Sequence, residues 1–424
     1  MTTNEIRQRA YELAFARESE KRQRRAYIEA EAQRQGLFLG SINPVYRGMA
    51  SETYRGFTVP AMNIRGMVYD LAQAAFAAAK ECDAGPFMFE IAPAELSEGG
   101  QTFDEYAGEV LAAALAQGYT GPVFLQGDHF HIESANADDV SSVVRTCSEA
   151  LSCGFYQIDI DASELVLPGG ASQSEHESWN ADVTAQVLKL VRGFGVPGSA
   201  AVLGGEVGRI GGELTSVEEL RSYLTLLREK IGPQIAGIGK VSVNTGTQHG
   251  GRVGENGRIA RMPVDFELIL RLSSVARKEF GLPGVVQHGA STLGIDQLRR
   301  LPESGVNEVH LATAIQTTIF NSPAFPAGLL ERMKRELTSS GGAKTGPEST
   351  VSQGWGDPTS FHDQAWRAWG RFKRELWELP EEVRESLRND LKNWFLEVFL
   401  ALGLNGRRAI LAEISSMARP GAGR

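Results

Sequence analysis

The chain has 424 residues, 42% hydrophobic and 22% charged, with a formal net charge of −9; this is long for one compact core but acceptable for one barrel carrying extra helices. The negative balance excludes a surface that attracts nucleic acid or anionic membrane, although a locally positive pocket would still take a phosphorylated substrate. Cys82, Cys147 and Cys153 have no CxxC spacing, which argues against a disulfide framework and a thiolate metal site, and no apolar run is long enough to span a bilayer.

Residues 1–35 interleave Glu with Lys and Arg and predict one or two solvated helices. The start carries no apolar stretch of the secretory type, so a cytoplasmic location is expected. From residue 57 onwards, short β-branched and apolar runs alternate with helical patterns. The runs are Phe57–Ile64, Pro86–Ala92, Pro122–His129, Phe155–Asp161, Ala200–Glu206, Ile238–Asn244, Pro283–His288 and Val306–Ala312. Between them lie the amphipathic stretches Met67–Cys82, Thr102–Gln117, Ala137–Cys153, Asp182–Phe194, Val217–Ile231 and Val264–Phe280. Strands separated by helix-length segments argue for βαβ units and a parallel sheet. Eight such units favour closure over an open doubly wound sheet, and no GxGxxG follows the first run.

The expected fold class is therefore α/β, a (β/α)8 TIM barrel with N-terminal and C-terminal helical extensions. The chain divides into an N-terminal extension (1–56), the barrel (57–338), a Gly/Ser/Thr-rich linker (339–354) and C-terminal helices (355–418). Trp366, Trp369, Trp377 and Trp394 predict an aromatic stripe used for packing or for contacts in a homo-oligomer. The final residues, ARPGAGR, are expected to be disordered.

Of the seven histidines, His129 ends the third run, His249 closes the loop after the sixth and His288 ends the seventh. In a (β/α)8 barrel these positions open onto one face, where active sites lie. Three converging imidazoles with an open position make a good Zn²⁺ site. Asp128 sits beside the first of them. Thr245–Gly251 and His288–Ser291 surround the other two with residues whose backbone N–H groups can form an anion nest. Glu206 ends the fifth run and offers a fourth ligand. Glu213 lies on a glycine-rich loop able to carry a carboxylate into a closed site.

The stretches VPAMNIRG, GDHF, GFYQIDIDASEL, GGEVGRIGGE, VNTGTQHGG, QHGAS and GVNEVHLATAIQ, in this order, resemble the class II, metal-dependent fructose-bisphosphate and tagatose-bisphosphate aldolases. The resemblance implies Zn²⁺ on His129, His249 and His288, with Glu206 as an alternate or supporting ligand. It implies that Asp128 handles the proton of the hydroxyl at the scissile carbon. Gly250, Gly289, Ser291 and Thr313 would bind the phosphate of a sugar substrate, and Asn63 matches the polar residue ending the first strand.

Departures from the family pattern are specific. The loop glutamate falls one position early, at Glu213 rather than Leu214. The family's Asn and Asp are His310 and Ala312 here, and its Gln and Ser are Glu90 and Ala92. Losing such contacts changes which substrate oxygens are held, at about 1–3 kcal/mol per hydrogen bond, and Glu90 would repel a phosphate. The expected activity is reversible retro-aldol cleavage of a ketose mono- or bisphosphate to dihydroxyacetone phosphate, or a related ketone, plus an aldehyde. The alternatives are a metal-dependent ketose or ketouronate epimerase on the same scaffold, and a non-catalytic aldolase subunit.

Overall fold

Runs rich in Val, Ile and Phe suit a pleated surface buried on both faces, and each of the eight becomes a strand. The computed structural model describes residues 1–163, 165, 173–194, 201–208, 213–246, 264–339, 361 and 364–419. After an added strand β1 (Leu37–Gly40) come β2 (Val59–Asn63), β3 (Met88–Ile91), β4 (Gly121–His131) and β5 (Gln157–Asp161). They are followed by β6 (Val202–Val207), β7 (Lys240–Val243), β8 (Val285–Gln287) and β9 (Val306–Leu311). The order is β4-β3-β2-β9-β8-β7-β6-β5, all parallel, and a β4–β5 pairing closes the ring. The fold is the expected (β/α)8 barrel.

The N-terminal segment is more than helical. Its helices Thr3–Ala14, Glu18–Arg34 and Asn43–Ala50 are interrupted by β1, which runs parallel to the base of β4 from Leu37↔Gly121 to Gly40↔Phe124. β4 is eleven residues long and outruns its neighbours, so β1 takes the edge that β5 joins only from Gln126↔Gln157 onwards. Gln157 seals the junction, accepting from Ile42 N at 3.0 Å and donating to Leu125 O at 2.8 Å.

Helix starts follow local capping chemistry. Thr102, Asn136, Ser216 and Asp265 each accept from the backbone N–H three residues on, an arrangement contributing about 1 kcal/mol apiece. The resulting helices are Phe103–Ala116, Ala137–Ser152, Val217–Ile231 and Phe266–Phe280. The stretch expected from Asp182 belongs to a longer helix, Gln173–Gly193.

The two flanks converge on one side of the barrel. Helix Val68–Glu81 is almost wholly buried beneath helix Glu381–Ala401. Trp377 stacks on Tyr69 at 5.8 Å between ring centroids, and buried Trp369 stacks on Phe320 at 4.9 Å. These tryptophans therefore pack within the chain. The N-terminal helices turn part of their charge inward rather than to solvent: buried Lys21 meets Glu105, and Arg25 Nε meets Asp104 at 2.6 Å. Lys373 from the C-terminal flank reaches the same Glu105 at 2.5 Å.

Two measurements test this packing. Asp70 is buried and accepts from Arg384 Nη1 at 3.1 Å and Arg388 Nη1 at 2.5 Å. Asp70→Ala leaves buried Arg384 with the exposed Glu381 as its remaining carboxylate and should cost about 1–3 kcal/mol in urea unfolding. Glu109, buried beside Glu105, has its pKa raised well above the ordinary carboxylate value by burial and then by that like charge. The unfolded chain therefore releases this proton at lower pH than the folded one, so stability from this residue falls as pH rises past the ordinary value, by up to about 1.4 kcal/mol per unit. Glu109→Gln should keep the bond from Tyr69 N to its side chain, raise the melting temperature at pH 8, and flatten its pH dependence.

Candidate active site

Alternation along a strand places Gln126 and Asp128 of β4 inside the barrel and would send His129 outside. A bulge prevents this. Between the pairs Gly127↔Ile158 and Phe130↔Ile160, β4 has two residues where β5 has one. His129 takes up the extra length in the left-handed region, at φ 44°, a conformation costing a non-glycine residue on the order of 1–3 kcal/mol. Phe130 folds back over Gly127, where a Cβ would stand 2.2 Å from the ring. Asp128 and His129 consequently share one mouth.

The His129 ring lies against Asp161, with Nδ1 3.2 Å from Oδ2, and 3.3 Å from Glu206 Oε1. Its centroid is 4.8 Å from that of His288, which is 4.2 Å from His310. His288 follows β8 directly, and Ser242 Oγ lies 2.9 Å from its Nε2. His310 on β9 places Nδ1 3.2 Å from both Asp128 Oδ1 and Glu90 Oε2, and Nε2 2.6 Å from Glu308 Oε1. All of these except half-buried His129 are buried.

Below the mouth, Lys240 Nζ donates to Gln126 Oε1 at 2.6 Å, Glu308 Oε1 at 2.7 Å and Asp159 Oδ2 at 2.8 Å. Gly204 makes room for the Asp159 carboxylate of this cluster, since a Cβ there would stand 2.1 Å from its Oδ1. Tyr46, from helix Asn43–Ala50, donates to Glu308.

These contacts set the ionisation. Burial alone would raise Glu308, but Lys240 and His310 hold it at about 2. Burial lifts Asp159 to about 6, against the pull of Lys240. Burial and then Asp161 lift Glu206 to about 7. Asp128 stays well below the ordinary carboxylate value: burial acts to raise it, and His129 and His310 overcome that. Burial would lower His129, but Asp128 and Glu206 carry it well above its ordinary value.

The structure thus brings together Asp128, His129, Glu206, His288 and His310. Asn63 ends β2 but donates to Glu95 at 2.8 Å, which also binds Arg65. Ser291 Oγ accepts from Ala312 N at 3.0 Å and Ala314 N at 3.2 Å. Gly289 is left-handed, and Thr313 opens the helix after β9. Glu213 is exposed, and among the described residues no contact joins it to the histidines; its backbone oxygen accepts from Asn244 at 3.0 Å. His249 and Gly250 lie outside the described residues. Sequence reasoning passed over Gln126, Asp159, Asp161, Ser242 and Glu308. Their signal was a polar residue at every second strand position, as in Gln157-Asp159-Asp161 and Glu308-His310.

The donor set suits a divalent ion. Asp128, His129 and His288 offer ligand atoms within 4.8 Å of one another, a mixture of imidazole and carboxylate typical of zinc. Ser242 and Asp161 hold the two rings from behind, as supporting residues of metal sites do.

The sequence model of the family Fructose-bisphosphate aldolase class-II matches residues 48–346. No curated protein matches. Among solved structures, the fructose-bisphosphate aldolase of Campylobacter jejuni is 16% identical, with a TM-score of 0.52 over 88% of this chain and 97% of its own. The YdjI aldolase of Escherichia coli K12 is 14% identical, with a TM-score of 0.51 over 88% and 99%. These two likenesses show a shared fold. The matched span contains all eight barrel strands, and the chain belongs to the class II fructose-bisphosphate aldolase family.

Proposed function

We propose that the chain is a divalent-metal aldolase that reversibly cleaves a ketose, phosphorylated or not, into a ketone fragment and an aldehyde. The observation that carries this reading is the β4 bulge, which sets Asp128 and His129 at one mouth beside His288. His129 and His288, with His249 from the sequence pattern, would hold Zn²⁺, and Glu206 would support them. The ion would supply Lewis-acid stabilisation of the charge that develops on substrate oxygens as the carbon–carbon bond breaks.

The chain's own residues do the rest. Asp128, kept ionised by the imidazoles on either side, takes the proton of the hydroxyl at the scissile carbon and returns it in the synthetic direction. Gly289, Ser291 and Thr313 lie on the face expected to receive a phosphate or another oxygen-rich end, to which the sequence pattern adds Gly250. Ser291 acts there indirectly, by fixing the backbone that opens the helix Thr313–Phe320. Glu213, exposed as it stands, would reach the second reacting carbon only through movement of its loop.

One observation favours a second reading. His310 and Glu90 crowd Asp128 where the family pattern has neutral amides, so the pocket wall facing the substrate carries a different charge. A metal-dependent epimerase working by cleavage, fragment rotation and re-addition would use the same Asp128 and histidines.

The two readings separate on products. A panel of ketose mono- and bisphosphates should release aldehyde, and a chelator should abolish the release. A silent panel, with exchange of C4 configuration in an unphosphorylated ketose or ketouronate, would instead establish the epimerase. Asp128→Ala should lower kcat by on the order of 10²–10⁴ while the ion held by the histidines stays bound. Loss of that ion in the variant would make Asp128 an essential ligand instead of the proton carrier.

A further inference from the structure

Lys240 on β7 is buried and has no part in the proposed chemistry. Burial would lower its pKa, but Asp159 and Glu308 hold it above the ordinary lysine value, so it stays an ammonium. Its N–H groups meet acceptors on three other strands. These are Gln126 Oε1 of β4 at 2.6 Å, Glu308 Oε1 of β9 at 2.7 Å and Asp159 Oδ2 of β5 at 2.8 Å.

Neutralising two carboxylates accounts for two of these contacts. It does not account for the third, which is the shortest and goes to a neutral amide. That contact is directional. An ammonium only donates, so it holds the oxygen of Gln126 towards itself and turns the amide N–H groups the other way. Nε2 then donates to Glu90 Oε2 at 2.9 Å and to Glu308 Oε1 at 2.7 Å. A flipped amide would set N–H groups against the ammonium and an oxygen against two carboxylates.

Glu308 transmits the constraint along a second route. Its Oε1, fixed by Lys240 and Gln126, lies 2.6 Å from His310 Nε2. Its other oxygen accepts from Tyr46, so the carboxylate is not free to swing round and replace a lost partner. Lys240 is therefore one contact from Gln126 and Glu308, and two from Glu90 and His310. The last pair, with His310 Nδ1 3.2 Å from Glu90 Oε2, holds two of the residues that depart from the family pattern.

We propose that Lys240 is a positioning residue for substrate selection: through Gln126 and Glu308 it fixes the wall of Glu90 and His310 that meets the substrate. In this role Lys240 touches no reacting group. The inference rests on the aldolase reading for what the wall selects, and on geometry alone for what holds the wall.

Gln126→Met and Lys240→Met, singly and together, are compared with the wild type in the full, metal-loaded chain on a panel of phosphorylated and unphosphorylated ketoses. Each single variant should raise KM for the preferred substrate about three- to tenfold, the worth of one ordered hydrogen bond. kcat should fall by less, and preference over the next-best substrate should narrow. The double variant should be no worse than Lys240→Met alone, because both changes act through the same amide. Additive effects, or a loss confined to kcat, overturn the proposal. A crystal structure of Gln126→Met should show the Glu90 carboxylate rotated with Asp128 and His129 in place. An unmoved Glu90 overturns the proposal whether or not the panel is active. A silent panel with a rotated Glu90 upholds the positioning role, and the aldolase reading is then what fails. Gln126→Met keeps the pairs of Lys240 with Asp159 and Glu308, so it decides even where Lys240→Met does not fold.

Discussion

Two neighbouring residues of a strand cannot both face the inside of a barrel while the strand keeps its period of two. The arrangement of side chains at this mouth depends on breaking that period once, between Asp128 and His129. The extra residue on β4 and the left-handed His129 turn an outward side chain inward. The strain is absorbed by close neighbours. Gly127 leaves space for Phe130, and Asp161 and Glu206 hold the turned imidazole. A Cβ at position 127 would therefore act on the site by displacing Phe130, without touching a reacting group.

Beneath the mouth, the interior is organised by one buried ammonium. Lys240 draws Asp159, Glu308 and Gln126 into a layer that an apolar core would fill in most barrels. A buried charge of this kind is tolerable only with its partners in place. Here they come from β4, β5 and β9, so the barrel must be closed for Lys240 to be satisfied. Tyr46 ties Glu308 to the N-terminal segment, and β1 fills the gap at the base of β4. The segment before the barrel is thus continuous with the floor of the site.

Much of this was legible in the sequence, for identifiable reasons. Each strand run formed because it is apolar and β-branched at fixed spacing, and the helices that start after the caps Thr102, Asn136, Ser216 and Asp265 lie within one or two residues of the amphipathic stretches. Strand-end positions in a closed parallel barrel put His129 and His288 at the same mouth, but the bulge that turns His129 inward is not marked in the sequence. β1 was missed because four residues beginning Leu37 lie between helical segments and pair with the overlong β4, a length no local pattern reveals. The interior carboxylates were missed for a different reason. Polar residues at every second position read as solvent-facing in an open sheet, yet in a barrel this narrow they point at one another. The inward charge of Lys21 and Arg25 likewise depended on Glu105 and Asp104, some 80 residues away, which helix periodicity does not see.

The departures from the family pattern are not scattered. Glu90 and His310 replace amides on strands that flank β2, and the two side chains meet each other and Asp128. Each substitution alone is unfavourable: a lone Glu90 is a buried carboxylate, and a lone His310 is an imidazole lodged among acids. Paired, and backed by Gln126 and Glu308, they form a connected polar unit whose cost is shared. Ala312 belongs to the same rebuilding, because it gives up a side-chain acceptor while its backbone N–H is held by Ser291. The changed residues thus form one contiguous wall beside Asp128, His129 and His288. Under the proposed aldolase reading, a pocket altered in this way would keep its metal and base and change the oxygens it can hold.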